Sequence, residues 1–370
     1  MDPVDVCIRG AGVVGRALAL ALSRRGFTVA LQGLGERPAA SGDVRAYALN
    51  RASVALLEEL KVWGGLPAGA ATAVHEMRVE GDAHGAALEF TSWQQGVDAL
   101  AWIVDAAALE DVLATALRYA PHVTMVDEAP AGAALTALCE GRDSAGRRDR
   151  GVDWSPQPYG QRGLAARVVA DRRHEGIARQ WFRAPDVLAL LPFDRPEAGR
   201  SYGVVWSLPE PRAQELLAAD DASFAQALNE ATGGAAGRLE LAGPRSAWPL
   251  AIARAKPAFG PGWVLLGDAA HLVHPLAGQG LNLGLADVAS LVRVIADREP
   301  WRSLGDPKLL ARYGRERELP TWAMGQLTDG LLQLFSHPAP WVRELRNRGL
   351  GLVDGLPPLK RWLAARALGG

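Results

Sequence analysis

The sequence predicts an α/β protein: a Rossmann-like domain, a second lobe built on a mixed β-sheet, and a helical C-terminus. Three observations predict it. At residues 4–32 a glycine fingerprint, GAGVVG, joins an apolar strand pattern to a helical pattern. At Trp263 to Gly284 a second strand–turn–helix pattern reads WVLLGDAAHLVHPLAGQGLNLG. Between them, residues 151–250 hold strand-like runs rich in Val, Leu, Trp and Phe, separated by turn clusters.

In the first anchor, VDVCIRG is a short strand and RALALALSRRGFTVALQ supplies a helix and another strand. Gly10, Gly12 and Gly15 form GxGxxG. Their expected roles are a tight turn, close approach of a pyrophosphate, and close helix–strand packing. The ribose-binding acid expected about 20 residues on falls at the end of TVALQ, where Gln32 stands. Residues 40–66 follow; Asn50 or Ser53 caps a helix with the face Val54, Leu57, Leu60. Arg45 precedes it in a loop of small residues, where a guanidinium turned back to a pyrophosphate would pair bidentately. Residues 72–104 alternate loosely and read as strands, Asp105 to Tyr119 as an amphipathic helix, and VTMV as a short strand.

RGLAARVVAD, IARQWFRAPDVLALLPF and SYGVVWSLP read as strands, and PRAQELLAADDASFAQALNEATGG as one helical run. Trp248-Pro249-Leu250 leads back to the first domain. In the second anchor Val264 to Leu266 form a buried strand ending at Gly267-Asp268, and Leu281, Leu285, Val288, Val292 and Ile295 recur on one helical face. Gly278 and Gly280 leave bare backbone N–H groups for a flat ligand, and Asp268 is placed to accept hydrogen bonds from a polyol. From Tyr313 the chain reads as helical, with breaks expected at Pro320, at His337–Pro340 and at Pro357-Pro358.

Composition narrows the function classes. The 370 residues are 49% hydrophobic and 22% charged with net charge −1, which suits a soluble globular protein and gives no cationic excess for nucleic acid. Cys7 and Cys139 lie far apart without CxxC spacing, so a reduced, cytoplasmic protein without structural zinc is expected. No apolar run reaches the roughly 18 residues of a membrane span, and Met1-Asp2-Pro3 is unlike a secretion signal. His271 and His274 are spaced as a metal pair but lack a third ligand, so no metal is expected. Ser144 lacks the GxSxG setting of a nucleophile.

GAGVVG, RAYAL near residue 45 and GDAAHLVHPLAGQGLNLGLADV near residue 267 together resemble the FAD-dependent aromatic hydroxylases, in the subgroup that acts on polyprenyl phenols in ubiquinone biosynthesis. LALLPF, SYGVVWSLP, AWPL and YGRERELPTWAMGQLTDGLLQLF extend the resemblance over most of the chain. It implies a discontinuous FAD-binding domain over 1–150 and 250–300. A substrate lobe follows over 151–249, with strands from 72–104, and a C-terminal helical segment over 301–370. It also implies that Asp268 contacts the ribityl chain, that Pro275 lies beside the flavin ring, and that the backbone from Gly278 through Gly280 and Leu281 to Asn282 faces the pyrimidine edge. NAD(P)H and O2 would be co-substrates and an aromatic small molecule the partner; no catalytic base is named.

The chain departs from that pattern at several points. Glu140 stands for an Asp in the motif that keeps Gly141, Ser144 and Arg147. The helix after WIV opens Asp105-Ala106-Ala107-Ala108, a three-stranded meander before residue 139 is missing, and Gln32 is uncharged. Two readings therefore stand: a flavin monooxygenase, and a relative that binds FAD weakly or not at all and serves as an accessory or lipid-binding protein. The basic, tryptophan-bearing stretch Trp341 to Gly370 suits a peripheral membrane contact or, alternatively, a helical hairpin packed on the first domain. The substrate pocket is expected to draw on Leu190, Leu191, Pro192, Phe193 and Val204 to Trp206.

Overall fold

A computed structural model describes residues 4–33, 43–81, 87–274 and 278–336. Pro275 and the stretch Trp341 to Gly370 lie outside the described residues, as do the proline breaks expected after residue 336. The chain opens with β1 (Val6–Arg9), α1 (Val13–Ser23) and β2 (Val29–Gln32). Next come β3 (Ala46–Leu49), α2 (Arg51–Glu59), β4 (Ala71–Val74), β5 (Glu76–Glu80), β6 (Ala87–Thr91) and the single turn α3 (Ser92–Gln95). β7 (Ala101–Asp105), α4 (Ala106–Arg118), β8 (Val123–Val126), β9 (Leu135–Leu138) and α5 (Ala145–Asp149) complete the first half. Then follow β10 (Gln157–Ala170), β11 (Ile177–Arg183), β12 (Asp186–Phe193), β13 (Ser201–Pro209), α6 (Glu210–Ala218), α7 (Asp221–Thr232) and β14 (Leu239–Arg254). The last elements are β15 (Phe259–Gly260), β16 (Trp263–Leu265), β17 (His271–Leu272), α8 (Gln279–Ala296) and α9 (Pro307–Ser336).

Among the described residues the strands make three sheets. The first runs β15-β16-β9-β1-β2-β8, with β16, β9, β1, β2 and β8 all parallel. Both anchors thus join one sheet, as expected, with β9 between them. The sequence reading missed β9. It is four residues of LTAL after a run of small residues, too short for alternation to register, yet Leu135, Ala137 and Leu138 are fully buried. The second sheet, β17-β14-β10-β13-β12-β11-β5-β6, is mixed because β11 and β5 run parallel while the other pairs are antiparallel. β3, β7 and β4 form a small third sheet.

Helices follow their caps. Asn50, not Ser53, caps α2 by accepting the Ser53 N–H at 2.8 Å. The run after Pro209 is two helices rather than one, because Asp220 accepts the Ser223 N–H at 2.7 Å and starts α7. The break expected at Pro320 is absent: α9 begins at Pro307, ahead of Tyr313, and runs through Pro320. A proline forfeits one helical hydrogen bond, but Tyr313 before it and Thr321 and Thr328 after it are buried, so packing keeps the helix whole.

Candidate active site

The fingerprint glycines divide the work. A methyl at Gly15 would lie 1.9 Å from the Gly10 carbonyl oxygen, and one at Gly10 would lie 2.3 Å from the Cys139 carbonyl oxygen. These two let α1 sit directly on β1 and β9. A methyl at Gly12, by contrast, would meet nothing within 4 Å, and Gly12 lines a cavity of about 380 Å³. The N-terminus of α1 at Gly12 has no capping side chain and no acidic residue in its first turn. The N-terminus of α8 at Gly278 also lacks a capping side chain. Gly278, at φ +64°, packs so closely on β3 that a methyl would lie 2.8 Å from Ala48 Cβ, whereas Gly280 is open on its free side. Both helix ends line the same cavity, so two sets of first-turn N–H groups converge there.

Of the predicted site residues, Gly12, Arg45, Gly267, Asp268, Gly278, Gly280 and Leu281 line this cavity. Gly10, Gly15, Gln32 and Asn282 are not among its lining residues. The Gln32 amide donates from Nε2 to the Asp127 carbonyl at 3.0 Å, while its Oε1 is buried without a hydrogen-bond partner. The Asn282 side chain is spent on positioning. Its Oδ1 accepts the Asn50 N–H at 3.0 Å and the Ser53 hydroxyl at 2.7 Å, and its Nδ2 donates to the Ala48 carbonyl at 2.8 Å. It thereby fixes α8 to the β3–α2 junction.

Electrostatics in the cavity are largely balanced. Arg45 pairs bidentately with Asp43, at 2.6 Å for Nη2 and 2.9 Å for Nε, and reaches Glu110 at 3.4 Å. The Asp43 hydrogen bond raises its pKa, so it stays a cation. Buried Arg167 holds the loop by donating to the Arg45 carbonyl at 2.8 Å. Arg142 donates to the Pro249 carbonyl at 2.8 Å. Asp268 opens on the cavity yet is walled by protein, and this removal from bulk water pushes its carboxyl above the ordinary range, against the pull of His271, Arg142 and Arg45. Burial likewise pushes the Tyr47 hydroxyl up to about 12, so it keeps its proton. The sequence reading missed Tyr47, Glu110 and Arg142 as lining residues; Tyr47 lies within the RAYAL run.

Behind the cavity, buried Asp287 of α8 accepts the Gly267 N–H at 2.9 Å, meets His271 Nε2 at 2.7 Å, and accepts Arg317 Nε of α9 at 2.7 Å. His271 is thus committed to Asp287, and no cluster of three or more metal-ligating side chains occurs among the described residues. His274 is fully buried with its ring edge-on to Tyr159 at 5.1 Å, and burial lowers its pKa to about 4. An unfolded histidine titrates near 6.5, so the stability carried by the neutral ring is intact above that pH and is lost as pH falls toward 4. The loss reaches about 3 kcal/mol. His274→Leu should therefore flatten the fall in melting temperature between pH 7 and pH 4; equal slopes for the two proteins would place the ring in solvent.

The opposite wall is the second sheet. Leu191 and Val205 line it as expected, but Leu190, Val204 and Trp206 turn to the other face and pack with the core under α6 and α7. Pro192 is opposite Tyr202 and, like Phe193, is not among the lining residues. Continuous apolar runs do not fix which alternate residues face which way.

The substitution at Glu140 is absorbed locally. Its carboxylate pairs with Arg9 at 2.8 Å and accepts the Gly146 N–H at 2.8 Å and the Ser144 hydroxyl. Ser144 in turn caps α5, and Arg147 lies buried over Trp154 at 3.6 Å. Glu140 thus ties β1 to the start of α5, and the reading of a cofactor-poor accessory protein gains no support. A helix N-terminus for a pyrophosphate, a carboxylate for a polyol and open glycines at a second helix end fit FAD.

A family model described as an FAD binding domain matches residues 132–328. A ubiquinone hydroxylase of Rhodospirillum rubrum is 30% identical over 390 residues, covering 99% of this chain and 89% of that protein. A 3-demethoxyubiquinol 3-hydroxylase of Escherichia coli is 29% identical, covering 100% of this chain and 99% of that one. Among solved structures, p-nitrophenol 4-monooxygenase from Pseudomonas putida superposes with a TM-score of 0.78 at 19% identity, covering 100% of this chain and 98% of that chain. At that identity it establishes the fold. With a domain model matched over more than half the chain and a relative aligned almost end to end, the chain belongs to the FAD-dependent aromatic hydroxylases, in the branch of the ubiquinone-biosynthesis hydroxylases.

Proposed function

We propose that this FAD-dependent monooxygenase hydroxylates an apolar, electron-rich aromatic ring, a polyprenyl phenol of ubiquinone biosynthesis, with NAD(P)H and O2. The observation that carries the reading is one cavity with two uncapped helix ends on one side and an apolar sheet on the other. The relatives named as ubiquinone hydroxylases, aligned along nearly their whole length, support the substrate class. Bound FAD supplies redox chemistry and the activation of O2. The chain binds and orients. The first-turn N–H groups at Gly12, with Arg45 lining the same cavity, would hold the pyrophosphate, and Asp268 would accept from the ribityl hydroxyls. N–H groups from Gly278 to Asn282 would hold the pyrimidine edge of the ring. Gln32 serves the ribose, and Gly10 and Gly15 hold α1 in place. Apolar sheet residues keep water from the reacting ring. In this reading 1–150 with 250–300 holds FAD, 151–249 with strands from 72–104 covers the substrate, and 301–370 closes the chain. The C-terminal stretch rests on the cytoplasmic face of an anionic membrane, from which the substrate's tail enters. Among the described residues no helix is long and apolar enough to cross a membrane.

Two measurements test this. Purified protein should show a flavin absorption spectrum, and a prenylated phenol should stimulate its NAD(P)H oxidation with a hydroxylated product; stimulation by a water-soluble aromatic alone would replace the lipid substrate. Asp268→Ala should weaken FAD binding by about 1–3 kcal/mol, read by flavin fluorescence titration. An unchanged affinity removes Asp268 from the polyol site.

A further inference from the structure

One cation ties the second sheet to the cofactor side of the cavity. Arg167 of β10 stands in one row with Gly203 of β13 and Leu191 of β12, and Leu191 lines the cavity. Gly203 leaves the guanidinium room: a methyl there would lie 3.9 Å from Arg167 Nη1 and 3.1 Å from Ala46 Cβ of β3. The guanidinium carbon lies over the Phe193 ring, 3.9 Å from its centre. Its Nη2 donates to the Arg45 carbonyl at 2.8 Å and reaches Asp105 Oδ2 at 3.5 Å. Asp105 in turn caps α4, accepting the Ala108 N–H at 3.0 Å.

This is an unfavourable place for a charge. Arg167 is 7% exposed and its Nη1 is buried without a partner. Burial lowers its pKa against the pull of Asp105 and Asp43. An apolar side chain of similar length would fill the space and orphan no donor. What the guanidinium alone supplies is its one short hydrogen bond, and that bond goes to the main chain of Arg45.

Arg45 is held on every side but one. Asp43 accepts its N–H at 3.0 Å and takes Nε at 2.9 Å and Nη2 at 2.6 Å. Its carbonyl accepts from Arg167 and, at 3.3 Å, from the Ala106 N–H. Glu110 touches Nη2 from 3.4 Å. Nη1 bonds none of the described residues, and Arg45 lines the cavity, so this edge is the one an anion can take. With its carbonyl released, the peptide after Arg45 could turn and carry the guanidinium with it. Held in advance, the head needs no ordering when its ligand arrives.

We propose that Arg167 is a positioning residue: from the substrate lobe it fixes the main chain of Arg45 and so readies Arg45 for the FAD pyrophosphate. Cofactor affinity then depends on the lobe that covers the substrate. This rests on the pyrophosphate lying beside Arg45, as proposed above.

The test titrates FAD into flavin-free protein, follows the quenching of flavin fluorescence, and compares Arg167→Met, Arg45→Met and the double variant. Arg167→Met should weaken FAD binding about tenfold, and Arg45→Met by about tenfold or more. The double variant should bind as Arg45→Met does, because Arg167 acts only through Arg45. A loss from Arg167→Met that is equally large in the Arg45→Met background overturns the proposal, since the residue would then serve the fold at large. So does the absence of any loss from Arg167→Met. Unchanged affinity in Arg45→Met takes the pyrophosphate away from Arg45 and removes the underlying reading as well. Should the methionine protein fail to fold, Arg167→Gln takes its place in the same cycle with the same outcomes.

Discussion

Replacing Asp287 with alanine should cost about 3–5 kcal/mol of stability, the penalty for breaking a buried ion pair from one side. The carboxylate is 1% exposed and serves Gly267, His271 and Arg317 at once. Burial alone would raise its pKa, but His271, Arg317 and the Gly267 N–H outweigh that and hold it below the ordinary carboxylate range. Without it, Arg317 keeps only its contact to the Leu283 carbonyl at 3.2 Å, and the Gly267 N–H is left buried. The Gly267-Asp268 segment loses its anchor to α8, so FAD affinity should fall along with the urea midpoint. A midpoint shift within experimental error would mean that water replaces the carboxylate, and the network would then carry no stability.

A methyl group at Gly15 should be as damaging, and one at Gly12 should not. The Gly15→Ala methyl would lie 1.9 Å from a backbone carbonyl that cannot rotate away, so α1 must lift off β1 at a cost of about 3 kcal/mol or more. Gly12 has an ordinary φ of −77° and open space around a methyl, so Gly12→Ala should melt near the wild-type temperature. It should nevertheless lose FAD affinity, because the open space is where a pyrophosphate would approach. Thermal melts of apoprotein beside flavin titrations separate the two. Equal loss of stability in both variants would refute the division of roles.

How legible the chain was depended on how locally each feature is encoded. The glycine fingerprint, the Gly267-Asp268 turn and the face of α8 are written in contiguous residues, and all were readable. What escaped depends on the third dimension. β9 has no pattern of its own and is a strand because β1 and β16 flank it. The lining of the cavity turned on the phase of β12 and β13, which LALLPF and GVVW leave undetermined until their neighbours set the register. The Asp220 cap, in contrast, is visible as Asp-x-x-Ser, and the helical pattern on both sides of it masks the boundary.

The parallel sheet that joins β1 to β16 through β9 also sets a timetable. At roughly 5–20 residues per second, a ribosome needs on the order of tens of seconds to travel from Gly12 to Asp268. For that interval the sheet lacks β16; β9, made about midway, waits with its outer edge open, and the pyrophosphate side of the cofactor site exists without its polyol side. FAD capture is therefore a late event in biosynthesis. A nascent chain stalled before α8 should hold no flavin, and the waiting edge of β9 is where a chaperone would be needed.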